Sequence, residues 1–380
     1  MLKARYLKRY VTADIAEKMV FVGGPRQVGK TTFALSMLPG NQDESSPAYL
    51  NWDAVEDREN ILAARLPPDE KLVIFDEIHK YAKWRNLVKG FYDKHKSSVS
   101  FLVTGSARLD YYRKGGDSLQ GRYHYHRLHP FTATELTKAP DADTVRQLLA
   151  FGGFPEPFLK ANGRFHRRWL REVAHRVIHE DLAGLENVRE ISNLDLLLHH
   201  LPACVGSPLS VNSLSKLLQV APQTVDHWIT IFERLYLCYR IPPFGSKRIR
   251  AVRKEKKLYF WDWSHVSDSG ARFENMVAGH LLKYCHAMED QEGHNMELRY
   301  IRDTDKREVD FVVLRDSKPE FAVECKTGER NASPACRYFR ERTSIPRFYQ
   351  VHLGTKSFGN PDSDTWILPF STFCSERNLP

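Results

Sequence analysis

Between residues 18 and 135, short apolar runs alternate with stretches of helical cadence. MVFV is followed by TTFALSML, AYLNWD by a charged helix, KLVIFDE by WRNLVKGFYDKH, and SFLVTG by a polar turn. Uninterrupted apolar runs of strand length read as strands buried on both faces, and their alternation with helices predicts a parallel sheet covered by helices. Residues 140–200 read as helices instead, through DTVRQLLAFG, RFHRRWLREVAHRVIHEDL and NLDLLLHHLPACVG. In the second of these, Trp169, Val173 and Val177 recur at helical spacing, giving an amphipathic helix with a basic, solvated face. That face suits contact with another subunit or domain as well as it suits nucleic acid. From 209 to 240 two short helical segments meet at a turn near Val220-Ala221-Pro222. Beyond them FENMVAGHLLKYC reads as a helix, and ELRYIRD, EVDFVVLRD and EFAVECKTG read as a strand meander.

No internal repeat or low-complexity linker marks the boundaries, so they follow the changes of pattern: 1–138, 139–205, 206–262 and 263–380. A chain of 380 residues can bury more than one core. With 42% hydrophobic and 27% charged residues it has ordinary globular composition, which excludes wholesale disorder. The net charge of +9 fits a polyanion partner such as DNA without requiring one. No apolar run approaches the ~18 residues of a membrane span, and MLKARYLKRYVTADIAEKM lacks the apolar centre of a secretory signal. The six cysteines form no C-x-x-C pair, so neither a disulfide framework nor a zinc knuckle is expected, and a reducing cytoplasmic location is.

The strongest chemical signal is Gly24-Pro25-Arg26-Gln27-Val28-Gly29-Lys30-Thr31, a full match to G-x-x-x-x-G-K-[ST]. It follows an apolar run and opens a helical segment, the context in which glycines let backbone N–H groups wrap phosphates. Lys30 then meets the β- and γ-oxygens, the Thr31 hydroxyl ligates Mg²⁺, and Thr32 continues the phosphate-binding stretch. The run KLVIFDEIHK ends in Asp76-Glu77, which places one carboxylate for Mg²⁺ and the next for activating water. The interval from Lys30 suggests that Asp76 sits on the neighbouring strand end. The next run, SFLVTGSA, ends in Thr104-Gly105-Ser106, where Ser106 can bond the attacking water or the γ-phosphate, although Thr-Gly-Ser is equally a turn sequence. Arg122 is the leading guanidinium for the γ-phosphate, from its own subunit or from a neighbour in a homo-oligomer, with Arg26 and Arg108 as competitors. His124 and His126 alternate on one strand face without a carboxylate nearby in sequence, so no metal site is expected there.

GGPRQVGKTT, the LVIFDEIHK box, VTGSA, GR…RLHPFTATEL and GGFPEPF together resemble the bacterial and archaeal AAA+-type ATPases that carry a C-terminal DUF4143 region. LYFWDWS and FENMVAGHL extend the similarity over nearly the whole chain. The resemblance implies ATP binding and hydrolysis at Gly24, Gly29, Lys30, Thr31, Asp76 and Glu77. The fold expected is α/β: an N-terminal AAA+-like P-loop sheet, a central helical and winged-helix segment, and a C-terminal α/β domain.

Two further constellations carry candidate chemistry. LSVNSLSKLLQVAPQTVDHWITIFERLYLCYRI has helix-turn-helix cadence, with a first helix at Val211–Leu218 and a second from Gln223. Thr224, His227, Trp228 and Thr230 would face a DNA groove, and KRIRAVRKEKK (247–257), with seven basic residues and one glutamate, would form a wing beside phosphates. Packing of Trp228, Ile229 and Phe232 into a core is the competing reading. In the C-terminal region Glu274 lies on a predicted helix, Asp310 on one strand, and Glu324 and Lys326 on one side of the next. If the strands pair, Asp310, Glu324 and Lys326 converge, with Glu274, Asp310 and Glu324 as ligands for a divalent ion and Lys326 positioning water. This D…E-x-K arrangement resembles the PD-(D/E)xK nuclease-like fold.

The leading expectation is a Mg²⁺-dependent ATPase whose nucleotide state controls the winged helix and the nuclease-like region on DNA. The alternatives are a metal-dependent DNA endonuclease gated by ATP, and a nucleotide-responsive scaffold that binds a protein partner and cleaves nothing.

Overall fold

A computed structural model describes residues 5–40, 43–105, 119–176, 191–245, 255–358 and 365–380. The chain divides into two compact units, Met1–His129 and Pro130–Pro380.

The first unit contains α1 (Lys8–Asp14), β1 (Met19–Gly23), α2 (Lys30–Leu35), β2 (Tyr49–Asn51), α3 (Val55–Leu62), β3 (Leu72–Asp76), α4 (Trp84–His95), β4 (Ser100–Thr104) and β5 (Tyr123–Arg127). The strands form one sheet in the order β2-β3-β4-β1-β5, and every pairing is parallel. Each apolar run supplies both faces at once. Phe21, Val73, Phe75, Phe101 and Val103 pack with Trp84, Val88 and Phe91 of α4 on one side, while Val20, Val22, Ile74 and Leu102 are buried on the other. The sheet order corrects one expectation, because β4 lies between β1 and β3 and Asp76 is therefore not on the strand next to the Lys30 loop. In a parallel sheet all C-terminal strand ends share one edge, so the two still meet there.

The second unit begins with helices: α5 (Ala133–Leu136), α6 (Ala142–Phe151), α7 (Pro155–Lys160), α8 (Gly163–Arg176), α9 (Ile191–His200), α10 (Val211–Leu218) and α11 (Pro222–Arg234). An antiparallel ribbon of β6 (Cys238–Ile241) and β7 (Lys257–Phe260) follows, then the long α12 (Ser269–Glu292). The remainder is β8 (Met296–Arg302), β9 (Glu308–Arg315), β10 (Lys318–Lys326), α13 (Pro334–Arg340), β11 (Phe348–His352), β12 (Thr365–Pro369) and α14 (Phe370–Glu376). These strands make a mixed sheet in the order β12-β11-β10-β9-β8, antiparallel from β8 to β10 and parallel from β10 to β12. The meander that the alternation predicts is the antiparallel half; β11 and β12 extend it after a helical crossover.

Helix α12 packs its buried face, including Phe273, Met276, Val277 and Leu281, into one apolar core with the helices and the sheet. Polar anchors fix it there. The Asn275 side chain mimics a strand edge, accepting from Phe260 N at 2.9 Å and donating to Phe260 O at 2.7 Å. Buried Lys283 bonds Glu135 at 2.5 Å and Thr132 at 2.8 Å, tying α5 to α12. Trp228 is buried in this same core, so the structure corrects its placement in a DNA groove: at helical spacing it shares a face with Val225, Ile229 and Phe232. No described helix is long and apolar enough to cross a membrane.

Candidate functional site

The P-loop leaves the C-terminal end of β1 through backbone that only glycine adopts easily. Gly24 has φ +143°, and a Cβ there would lie 2.4 Å from the Leu128 carbonyl oxygen; Gly29, with φ +92°, directly precedes α2. The Lys30 ammonium, 7% exposed, donates back across the loop to Pro25 O at 2.6 Å and Gly24 O at 3.1 Å. The strongest local cation therefore sits within the curl of the loop. Behind the loop, the Arg5 guanidinium donates to Val28 O at 2.8 Å and also to His129 O. Sequence reasoning missed Arg5, because nothing in a basic N-terminal segment distinguishes a loop buttress from a solvated charge. Arg26 and Thr32 are exposed, whereas Pro25 and Val28 are buried.

Asp76 organises the neighbouring strand ends. Its carboxylate is 3% exposed and accepts three hydroxyls, from Thr31 at 2.7 Å, Tyr49 at 2.7 Å and Thr104 at 2.5 Å. β-sheet register accounts for the gathering, since Asp76 lies opposite Thr104 on one side and Asn51, two residues beyond Tyr49, on the other. Burial, reinforced by the Asp76 charge, pushes the Tyr49 hydroxyl pKa well above the ordinary tyrosine value, so it remains a donor. The strand-end position of Thr104 suggests a role toward water or the γ-phosphate; it is instead fully buried and committed to Asp76. Nothing in the sequence singles out Tyr49. Because Thr31 donates its proton to Asp76, its oxygen lone pairs face away from that bond. A hydroxyl and a carboxylate oxygen this close form the hard-oxygen pair that suits Mg²⁺.

Glu77 has φ +56°, and its N–H donates to Thr104 O at 3.1 Å, which turns its side chain off the strand axis. The carboxylate lies 3.4 Å from Lys80 Nζ and 3.8 Å from His79 Nε2, and is partly open to solvent. Ser106 and Arg108 lie outside the described residues.

Arg122 must be reassigned within its own chain. Met19 N bonds Arg122 O, whereas Gly23, four residues further along β1, pairs with Arg127. Arg122 is therefore at the N-terminal edge of the sheet, about 13 Å of strand from the end where the P-loop begins. There it forks onto Asp93 of α4, with Nε–Oδ1 2.8 Å and Nη2–Oδ2 3.3 Å. His126 does meet a carboxylate, though one distant in sequence: its Nε2 lies 2.7 Å from Asp14 of α1.

In the second unit the structure gathers Glu274, Asp310, Glu324 and Lys326 and adds a residue that the sequence alone assigns elsewhere. Lys257, read as part of a basic wing, is fully buried on β7. Its ammonium lies 3.0 Å from Glu274, 2.5 Å from Glu308 and 3.5 Å from Asp310. Tyr259, on the same side of β7, donates to the same Glu274 oxygen at 2.6 Å. Asp310 accepts the Cys325 N–H at 2.8 Å, and Lys326 pairs with Glu324 at 2.6 Å. Among the described residues no group of three or more His, Cys, Asp or Glu is placed to hold a metal. Of the expected ligands Glu274, Asp310 and Glu324, the first two have the Lys257 ammonium standing between them.

The electrostatics follow from burial. Burial, and then the Asp310 charge, raise Glu274 to about 7 against the opposing pull of Lys257. The same two causes raise Glu324 to about 8 against Lys326. For Lys257, burial favours the neutral amine, but the charges of Glu274, Asp310 and Glu308 outweigh it and hold the pKa above the usual lysine value. An acid whose folded pKa lies above its unfolded value of 4.5 stabilises the fold fully below 4.5 and loses that contribution as pH climbs through the folded pKa. The melting temperature of the Pro130–Pro380 unit is therefore expected to fall between pH 5 and pH 8. Calorimetry should find that decline flattened in Glu324→Gln, and an equal slope in both proteins would refute the assignment.

Residues 16–137 match the AAA domain family AAA_14, residues 142–267 match DUF8612, and residues 269–373 match DUF4143. The uncharacterized Methanocaldococcus jannaschii protein MJ1544 is 21% identical, over 92% of this chain and 85% of its own length. Protein MJ1637 of the same organism is 22% identical, over 85% and 78% respectively. Among solved structures, similarity extends to the Thermotoga maritima RuvB Holliday junction branch migration motor (18% identity, TM-score 0.33, 62% of this chain and 89% of that one). It also extends to the Aeropyrum pernix Orc1 protein in complex with DNA (13% identity, TM-score 0.33, 73% and 94%). The parallel sheet, the glycine loop with its lysine, and the Thr31–Asp76 pair define an AAA+-type P-loop protein. The chain thus matches the AAA_14 family of AAA domains in its first part and DUF4143 in its last.

Proposed function

We propose that this protein binds Mg²⁺-ATP on the Gly24–Thr32 loop and hydrolyses it. The observation that carries this reading is the convergence of three hydroxyls on buried Asp76, one of them from Thr31 at the end of the loop. In this reading Thr31 and Asp76 hold Mg²⁺, which when bound neutralises charge on the phosphates. Lys30 leaves the loop carbonyls for the β- and γ-oxygens, and Glu77 orients the attacking water. Glu77→Gln keeps the shape of the side chain but removes its basicity. It is expected to lower kcat about 10²–10⁴-fold while nucleotide affinity stays within about twofold. A steady-state phosphate-release assay beside a binding titration tests this, and unchanged kcat would rule out Glu77 as the water-orienting group.

A second element of the proposal is that nucleotide state governs contact with DNA through α8 rather than α11. On α8, Arg164, Arg167, Arg168 and Arg171 are exposed at i, i+3, i+4 and i+7, while His166 and Trp169 are buried on the opposite face. The outer side of α11 instead carries Asp226 and Glu233, both paired with Arg240, and carboxylates there oppose phosphate. Binding to a duplex should weaken steeply with salt. Changing all four arginines to glutamine should flatten the log–log slope by about one unit for each phosphate no longer neutralised. An unchanged slope would remove α8 from the interface.

A further inference from the structure

We propose that Lys257 is a built-in substitute for a divalent cation, so that the Glu274–Glu308–Asp310 cluster is a charge-locked, metal-free site that does not cleave phosphodiesters. Three features of the structure support this independently of the nucleotide site.

The first is stoichiometry of donors and acceptors. An ammonium has three N–H donors and no acceptor, and Lys257 faces three carboxylates, those of Glu274, Glu308 and Asp310. Two of those groups, Glu308 and Asp310, have their second oxygen committed as well. Glu308 pairs with Arg302 at 2.8 Å and Asp310 accepts from Cys325 N at 2.8 Å. Glu324 is bound to Lys326 at 2.6 Å.

The second is that the lysine is placed by the fold. Asn275 clamps Phe260 from α12, three residues along β7, which fixes the register that puts Lys257 and Tyr259 opposite Glu274. Leu209 N also bonds Lys256 O at 2.9 Å, next to Lys257. The side chain is fully buried, with the Tyr300 ring 5.6 Å from its nitrogen.

The third is the consequence of exchange. Mg²⁺ needs oxygens at about 2.0–2.1 Å and Ca²⁺ at about 2.3–2.6 Å, so neither fits among Glu274, Glu308 and Asp310 while the ammonium remains. Displacing Lys257 would leave a cation in an enclosed site without its partners, which is strongly unfavourable. Lysine does here what a metal would do, neutralising converging carboxylates, but it offers no open coordination position and activates no water.

The test uses the full chain without nucleotide, so that the P-loop contributes no metal site, and reads Mn²⁺ binding by electron paramagnetic resonance. Wild type and Asp310→Asn should give superimposable isotherms, and neither should nick plasmid DNA in Mn²⁺. Lys257→Ser should gain one Mn²⁺ per chain, at least tenfold tighter than any site in wild type, and lose it again when Asp310→Asn is added. A wild-type Mn²⁺ site or plasmid nicking that Asp310→Asn abolishes would overturn the proposal, as would a folded Lys257→Ser protein that gains no site. If Lys257→Ser does not fold, the comparison of wild type with Asp310→Asn decides alone.

Discussion

Replacing Lys30 by alanine is expected to lower ATP turnover by about 10²–10³-fold, the usual consequence of deleting one preorganised charge from a reacting centre. The side chain is nearly buried inside the loop, where its ammonium bonds the Gly24 and Pro25 carbonyls. When phosphates arrive, those carbonyl bonds exchange for charge-assisted ones to phosphate oxygens, which are roughly twice as strong as neutral hydrogen bonds. Alanine supplies neither set, so affinity falls together with rate. The fold should survive, because the bonds that Lys30 makes to Gly24 and Pro25 stay within the loop and leave β1 and its core in place. Phosphate release and thermal unfolding measured on one preparation separate these effects, and full turnover by a clean Lys30→Ala sample would refute the assignment.

Lys257→Ala is expected to be the most damaging single change in the second unit, costing about 3–5 kcal/mol, because it strands buried carboxylates without their cation. The loss has a pH signature. Glu274, raised to about 7 in the native protein, protonates more readily without the ammonium, so the penalty should shrink as pH falls below neutrality. Urea unfolding of both proteins at pH 6 and pH 8 measures this. Combining Lys257→Ala with Glu274→Gln should cost less than the sum of the two, since they share one ion pair. Strict additivity would mean that the 3.0 Å pair contributes nothing.

The glycine loop and its meeting with Asp76 were legible because the signals are local. Eight consecutive residues specify the loop, and an apolar run ending in Asp-Glu specifies the partner strand. Tyr49 and Thr104 were not legible as Asp76 partners, because only strand order and register bring three separated segments to one carboxylate. The distance of Arg122 from the loop of its own chain was hidden for the same reason: it depends on which end of β5 the residue occupies, and sequence spacing does not state that. In the second unit alternation correctly put Glu324 and Lys326 side by side. Lys257 was hidden, since one lysine in SKRIRAVRKEKK looks like the rest until β7 turns it inward. Trp228 shows the converse, an aromatic on a helix-turn-helix pattern that serves the core.

Nucleotide binding at the glycine loop is tested most directly by calorimetric titration of ATP with Mg²⁺ into the full chain and into Lys30→Ala. The expected result is one saturable site per chain in the wild type, with its heat lost or its affinity reduced at least tenfold in the variant. No heat with the wild type, or identical isotherms for the two proteins, would contradict it.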